Sequence, residues 1–243
     1  MTLISAFDHE KIELPSGLVL EGSLSVPPVG VSQTGSKLAV CLHPWSWFGG
    51  RMDDSVIHAV KRIMLAKGYC VLRYNSRGAG SSSGWPSFTG LQEVEDLKEL
   101  VQWALERMPA VDSLIIAGYS HGSLIASLYP LFPEERKIKV SHILISYPLS
   151  PRALLTAFRG GYYASTLEAL LRDSRSNVLV VYGDCDEFTG VRNYDTWADV
   201  LRAVTEGENK GHLQIVKVEG GNHFWTDSEP RNVMLEGIQN FMQ

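Results

Sequence analysis

A chain of 243 residues with 44% hydrophobic and 20% charged side chains, 22 Gly and 11 Pro has the balance of a globular protein, which excludes disorder, collagen-like repetition and coiled coil. Its 22 Lys/Arg against 27 Asp/Glu give a net charge of −5. No basic run is longer than a pair such as Lys61-Arg62, so no nucleic-acid partner is expected.

Three cysteines, Cys41, Cys70 and Cys185, provide neither a CxxC metal site nor a disulfide framework. The charge-interrupted stretch 1–17 does not read as a signal peptide, and no apolar run reaches the roughly 18 residues of a membrane span. The expectation is one cytoplasmic domain over residues 1–243.

Taken in chain order, Lys11 to Leu14 and the period-two stretch Leu18 to Val26 suggest an opening β-hairpin. Pro27 to Ser36 reads as a surface turn. Leu38 to Leu42 is a short apolar run that fits a buried strand, Ser55 to Ala66 carries apolar residues at helical spacing, and Tyr69 to Tyr74 reads as the next strand. Leu91 to Met108 is the clearest helix: Val94, Leu97, Leu100, Val101, Ala104, Leu105 and Met108 recur at i, i+3, i+4 and i+7. A strand follows at Ser113 to Ala117, a helix at Leu124 to Leu131 and a strand at Val140 to Ile145. Leu154 to Leu171 reads as a helix interrupted at Gly160-Gly161. Val178 to Tyr182 is a strand, Tyr194 to Val204 a helix, Leu213 to Val218 a strand and Asn232 to Phe241 a closing helix. Apolar strands separated by helices predict an α/β fold with a mostly parallel sheet and βαβ crossovers.

The strand at Leu114 runs directly into Gly118-Tyr119-Ser120-His121-Gly122 and then a helix. This is G-x-S-x-G in the strand-to-helix context that exposes a serine nucleophile, and the N–H of His121 is placed to meet an oxyanion. A serine nucleophile needs a base, and the base an orienting acid. The strand Val178 to Tyr182 is followed by Gly183-Asp184-Cys185-Asp186-Glu187, and Leu213 to Val218 by Gly220-Gly221-Asn222-His223. Both lie at strand C-terminal ends, where open α/β sheets build their sites. Ser120, Asp186 and His223 are the expected triad, Asp184 being placed to bond turn amides. After Leu42 comes His43-Pro44-Trp45-Ser46-Trp47-Phe48-Gly49-Gly50. Pro44 has no N–H, so Trp45 is the expected second oxyanion donor.

With these elements in the order Ser, Asp, His, the sequence resembles the α/β-hydrolase superfamily from about Lys11 to the C-terminus. The loop His43-Pro44-x4-Gly49-Gly50 and the segment from Tyr74 to Gly84 are similar to the small dienelactone-hydrolase-like group, whose members often read HPHPxxGG and NFRGxGxSxG there. Trp45 stands where the usual residue is histidine, and Ser76 where it is phenylalanine. The resemblance implies about eight strands flanked by helices and serine-based hydrolysis. The interval from Pro148 to Asn177 is short, so a minimal cap or none is expected. The mouth of the site is then assigned to Trp47, Phe48, Trp85, Tyr119, Tyr147, Phe224 and Trp225, an aromatic set suited to acyl or aryl groups.

Other candidates take plainer readings: His43 as a structural histidine, the His121 side chain as helix-start packing, Arg77 as a loop tether and Cys185 as packing. His9, His58, His142 and His212 read as surface or incidental. No zinc spacing, GxGxxG or Walker sequence appears, so no metal or cofactor is expected. The reading is a serine hydrolase of a small-molecule carboxylic ester, acting through an acyl-enzyme. A thioesterase, lactonase or acyltransferase on the same triad is the alternative within the class. A non-catalytic binding protein on the same fold is the alternative outside it. Oligomeric state is not legible.

Overall fold

The structure, a computed structural model, describes residues 5–31 and 36–242. Residues 32–35 of the Pro27 to Ser36 turn and residues 1–4 of the N-terminal stretch therefore lie outside the described residues. Eight strands form one sheet: β1 (Phe7–Glu13), β2 (Val19–Ser25), β3 (Ser36–Leu42), β4 (Tyr69–Asn75), β5 (Val111–Tyr119), β6 (Lys139–Ile145), β7 (Asn177–Gly183) and β8 (His212–Val218). Their spatial order is β1-β2-β4-β3-β5-β6-β7-β8. The opening hairpin is antiparallel, β2 joins β4 antiparallel, and every later pairing is parallel.

The interior strands β3 to β7 are largely apolar because both of their faces are covered, whereas the edge strand β1 is charged and mostly exposed. On β3, Leu38, Val40 and Leu42 pack into one core cluster while Ala39 and Cys41 pack into the other. On β5, Leu114 and Ile116 alternate in the same way with Ile115 and Ala117. The first face is covered by α2 (Leu91–Arg107), α3 (His121–Ser127), α5 (Gly160–Arg172) and α6 (Val191–Val204), and the second by α1 (Ser55–Ala66) and α7 (Ser228–Phe241). Each fully buried aliphatic side chain contributes about 1.5–3 kcal/mol relative to exposure, so the two clusters carry most of the stabilisation.

Two sequence expectations change here. The helix expected at Leu154 to Leu171 is two pieces, α4 (Arg152–Leu155) and α5, and Gly160-Gly161 opens α5. The break falls instead at residues 156–159, where Ala157 (φ 46°) and Phe158 (φ 66°) are left-handed. His142, read from the sequence as surface or incidental, is completely buried. It stands opposite Ile116 and Val178 on the neighbouring strands, and one ring nitrogen meets the Tyr129 carbonyl at 2.9 Å. Between β6 and β7 only α4 and α5 intervene, so the cap is minimal.

Candidate active site

Parallel strands deliver their C-terminal ends to one edge, and the site is assembled there from four loops. β5 ends at Tyr119, and Ser120 follows with φ 53° and ψ −121°, a strained turn into α3. The flanking glycines make that turn possible. A Cβ on Gly118 would lie 2.2 Å from the Gly122 carbonyl oxygen, and one on Gly122 would lie 2.5 Å from that of Leu42. The Ser120 N–H extends the sheet to the Ile145 carbonyl at 2.9 Å, and Ser123 Oγ donates to the Ser120 carbonyl at 2.6 Å. Strain of this kind costs about 1–3 kcal/mol and persists only where surrounding contacts over-determine it.

The acid and histidine loops are clasped together. A Cβ on Gly183 would come 1.9 Å from the Gly221 carbonyl oxygen, so only glycine allows the two backbones to meet. Across this contact the Cys185 N–H donates to the Gly221 carbonyl at 2.9 Å and the Asp184 N–H to that of Val218 at 3.1 Å. The Asp184 carboxylate accepts the Gly220 N–H at 2.8 Å. Asp186, two residues on, faces inward. Its Oδ1 accepts the N–H groups of Phe188 and Thr189, both at 2.9 Å, and its Oδ2 accepts the Tyr194 hydroxyl at 3.2 Å. Burial, and secondarily Asp186, push the Tyr194 phenol well above its ordinary value, which keeps it a donor.

His223 lies between the acid and the serine. Its Nδ1–H donates to Asp186 Oδ2 at 2.7 Å, and its Nε2 accepts the Ser120 hydroxyl at 2.9 Å. All three residues are buried, Ser120 keeping 9% of its surface. The histidine backbone is held from both sides: Glu187 Oε2 accepts its N–H at 2.8 Å, and the Tyr119 hydroxyl donates to its carbonyl at 2.9 Å. Phe188 packs edge-on against the imidazole at 4.6 Å. Glu187, Thr189 and Tyr194 are contributions that the structure adds to the sequence reading. The Asp186-Glu187 adjacency is a visible signal for the first, whereas the other two have none.

The His43 to Gly50 loop provides the remaining wall. The Trp45 carbonyl accepts the N–H groups of Phe48 and Gly50, both at 3.1 Å, which closes the loop without using the Trp45 N–H. Gly50 is required because its Cβ would lie 2.2 Å from the Pro44 carbonyl oxygen. His43 braces the base of the loop: Nδ1–H donates to the Pro44 carbonyl at 2.6 Å, while Nε2 accepts the Ser76 N–H at 2.9 Å. Burial lowers its pKa to about 4, so the imidazole is neutral. Arg77 is a tether: its guanidinium grips Asp96 with two hydrogen bonds of 2.6 Å.

Of the aromatic mouth residues, Trp47, Phe48 and Phe224 are exposed, with Trp47 6.1 Å from Trp45 and Phe224 5.4 Å from His223. Trp85 is exposed but has no ring contact with this group among the described residues. Tyr119, Tyr147 and Trp225 are buried and do not line the mouth. Tyr119 supports His223 from beneath, Tyr147 stacks on Trp197 at 4.9 Å, and Trp225 Nε1 donates to Ser146 Oγ at 3.0 Å. They follow strands or loops that still have a core to fill. Cys185, expected to pack, is exposed. Among the described residues no His/Cys/Asp/Glu group could hold a metal, and no helix is long and apolar enough to cross a membrane.

A sequence model of the family described as X-Pro dipeptidyl-peptidase (S15 family) matches residues 16–136, which include the His43 loop and Ser120 but not Asp186 or His223. An uncharacterised protein of Rickettsia prowazekii is 30% identical over 128 residues, 53% of this chain and 52% of that protein, so the match spans about half of the relative's length. A solved α/β serine hydrolase without lid from Xanthomonas campestris is 22% identical with a TM-score of 0.69, covering 97% of this chain and 94% of that one. Est1E from Butyrivibrio proteoclasticus, solved with ferulic acid bound, is 19% identical with a TM-score of 0.70, covering 98% of both chains.

Proposed function

We propose that this chain, an α/β hydrolase by its fold and minimal cap, is a serine hydrolase that cleaves carboxylic esters of small acyl or aryl groups. The observation that carries the reading is the unbroken line from Ser120 Oγ through His223 to Asp186, with hydrogen bonds of 2.9 and 2.7 Å. The Ser120 oxygen attacks the ester carbonyl while its proton passes to His223 Nε2. The N–H groups of His121 and Trp45 receive the developing oxyanion. As the C–O bond to the alcohol breaks, His223 returns the proton to the leaving oxygen. Water then repeats the sequence on the acyl-enzyme and frees Ser120. Asp186 holds the imidazole in the tautomer that accepts from Ser120 and stabilises the imidazolium.

Ester rather than phosphate chemistry is supported by the mouth: Trp47, Phe48 and Phe224 offer apolar contact. Ferulic acid bound to Est1E is an aromatic acid on the same fold, which agrees with an aryl acyl group here. The partial match to a dipeptidyl-peptidase family makes an X-Pro amide the informative competitor.

A serine-directed fluorophosphonate, followed by a panel of acyl esters, thioesters, lactones and an X-Pro anilide, tests the reading. Labelling at Ser120 with the highest kcat/KM on esters is expected. No labelling, or amide turnover above ester turnover, would overturn it.

A further inference from the structure

Beside the oxyanion wall, on the side away from His223, lies a small cavity of about 20 Å³ that the mechanism does not use. Its polar lining comes from His43, Ser76, Glu93 and His121, with Leu42 and Ile125 among its apolar walls. A polar space of this size takes one water molecule or one hydroxyl group.

Three of the lining groups have hydrogen-bonding capacity to spare. Glu93 is 5% exposed, yet its carboxylate meets only the N–H and hydroxyl of Ser87, and it forms no ion pair among the described residues. A buried carboxylate ordinarily needs more compensation than two neutral donors. The His121 ring makes no hydrogen bond among the described residues, and its ring contact is a tilted one with Trp45 at 6.4 Å. The Ser76 hydroxyl lies 3.0 Å from His43 Nε2, but the Ser76 N–H already reaches that nitrogen at 2.9 Å. The two donors share the single lone pair of that nitrogen, and the hydroxyl oxygen keeps its own lone pairs free to accept.

Position assigns the cavity to one part of the substrate. The alcohol must leave on the His223 side, because Nε2 returns its proton. His223 follows β8, whereas Leu42 and Ser76 stand at the ends of β3 and β4 on the opposite side of β5. We propose that the cavity is a specificity subsite for a hydroxyl group on the acyl part of the ester: Glu93 accepts its hydrogen bond, and Ser76 and His121 complete its contacts. The preferred substrates are then hydroxyacyl esters. This rests on the serine-hydrolase reading and narrows it.

The test compares 4-methylumbelliferyl 3-hydroxybutyrate with the butyrate, and 2-hydroxyethyl butyrate with ethyl butyrate as the alcohol-side control. A hydrogen bond to a charged acceptor supports a preference of about tenfold or more in kcat/KM for the hydroxyacyl ester, with none in the alcohol pair. Glu93→Gln and Ser76→Phe, one removing the charge and the other filling the space, should each bring that ratio to within about twofold of unity. A wild-type ratio at or below one overturns the subsite without needing any variant to fold. So does a preference that survives both substitutions, or one found only in the alcohol pair. Ser120 labelling together with butyrate turnover, but no hydroxyl preference, removes the subsite alone; absence of labelling removes the hydrolase reading and the subsite together.

Discussion

The division of labour between Asp184 and Asp186 shows how two identical side chains on one loop acquire different tasks. Asp184 faces the Gly220 N–H at 2.8 Å, whereas Asp186 accepts from two backbone amides, a buried phenol and His223. Asp186→Asn keeps the shape but offers an amide that favours the wrong imidazole tautomer, so kcat should fall by roughly 10⁴. Asp184→Asn should lower stability by about 1 kcal/mol through one weakened turn bond, with kcat much less affected. Steady-state kinetics and urea unfolding of the pair decide it, and a larger kcat loss at Asp184 would reverse the roles. Ser120→Ala removes the proposed nucleophile, with kcat expected to fall by roughly 10³ to 10⁶. A folded Ser120→Ala protein with full turnover would refute the covalent mechanism.

At the scale of elements, the site depends on loops brought so close that glycine alone fits, and this gives a paired experiment. Gly183→Ala drives a Cβ to 1.9 Å from the Gly221 carbonyl, so the acid and histidine loops must separate. Both stability and kcat should fall, the former by more than about 2 kcal/mol. Gly161→Ala, in α5 with nothing within 4 Å of its Cβ, should leave kcat unchanged and raise stability by about 0.5–1 kcal/mol. Urea midpoints and ester kinetics on the two proteins measure the contrast; equal effects would mean the loop contact is not what holds the site. The alternation of strands and helices was legible because apolar periodicity reports burial directly, as did the strand-elbow-helix context of Ser120. What escaped depends on partners distant in sequence. The left-handed pair Ala157-Phe158 has no local signature, so periodicity alone sets the break at the glycines that in fact open α5. Tyr119, Tyr147 and Trp225 look like any other aromatic near a loop until the sheet shows that they lie beneath it. Thr189 and Tyr194 support Asp186 from α6 and the turn before it, a relation that no spacing encodes.

Over the whole molecule, buried neutral histidines couple stability to acid. Burial lowers the pKa values of His43, His121 and His142 to about 4, from an ordinary value of 6.5. His142 is the sharpest case, being fully enclosed with its Nδ1 unpartnered among the described residues. Between pH 6.5 and about 4 the unfolded chain binds protons at these sites and the folded chain does not. Stability is therefore fully present above pH 6.5 and is lost as the pH falls towards 4. Each fully buried ring contributes at most about 1.4 kcal/mol per pH unit in that window, and His121, a partly buried residue, contributes less. His9 works in the opposite sense: the hydrogen bond from its Nδ1 to Glu21, at 2.8 Å, raises its pKa, so the folded chain holds that proton more tightly. Its side chain is 48% exposed, and solvent screening leaves it the weaker effect. Unfolding free energy should thus fall between pH 7 and pH 5. His142→Gln keeps an N–H that can reach the Tyr129 carbonyl and removes the titration, so the slope of stability against pH should flatten by up to about 1.4 kcal/mol per unit below pH 6.5. Urea unfolding of both proteins at half-unit intervals from pH 4.5 to 7.5 provides the comparison, and parallel curves would show that the acid sensitivity arises elsewhere.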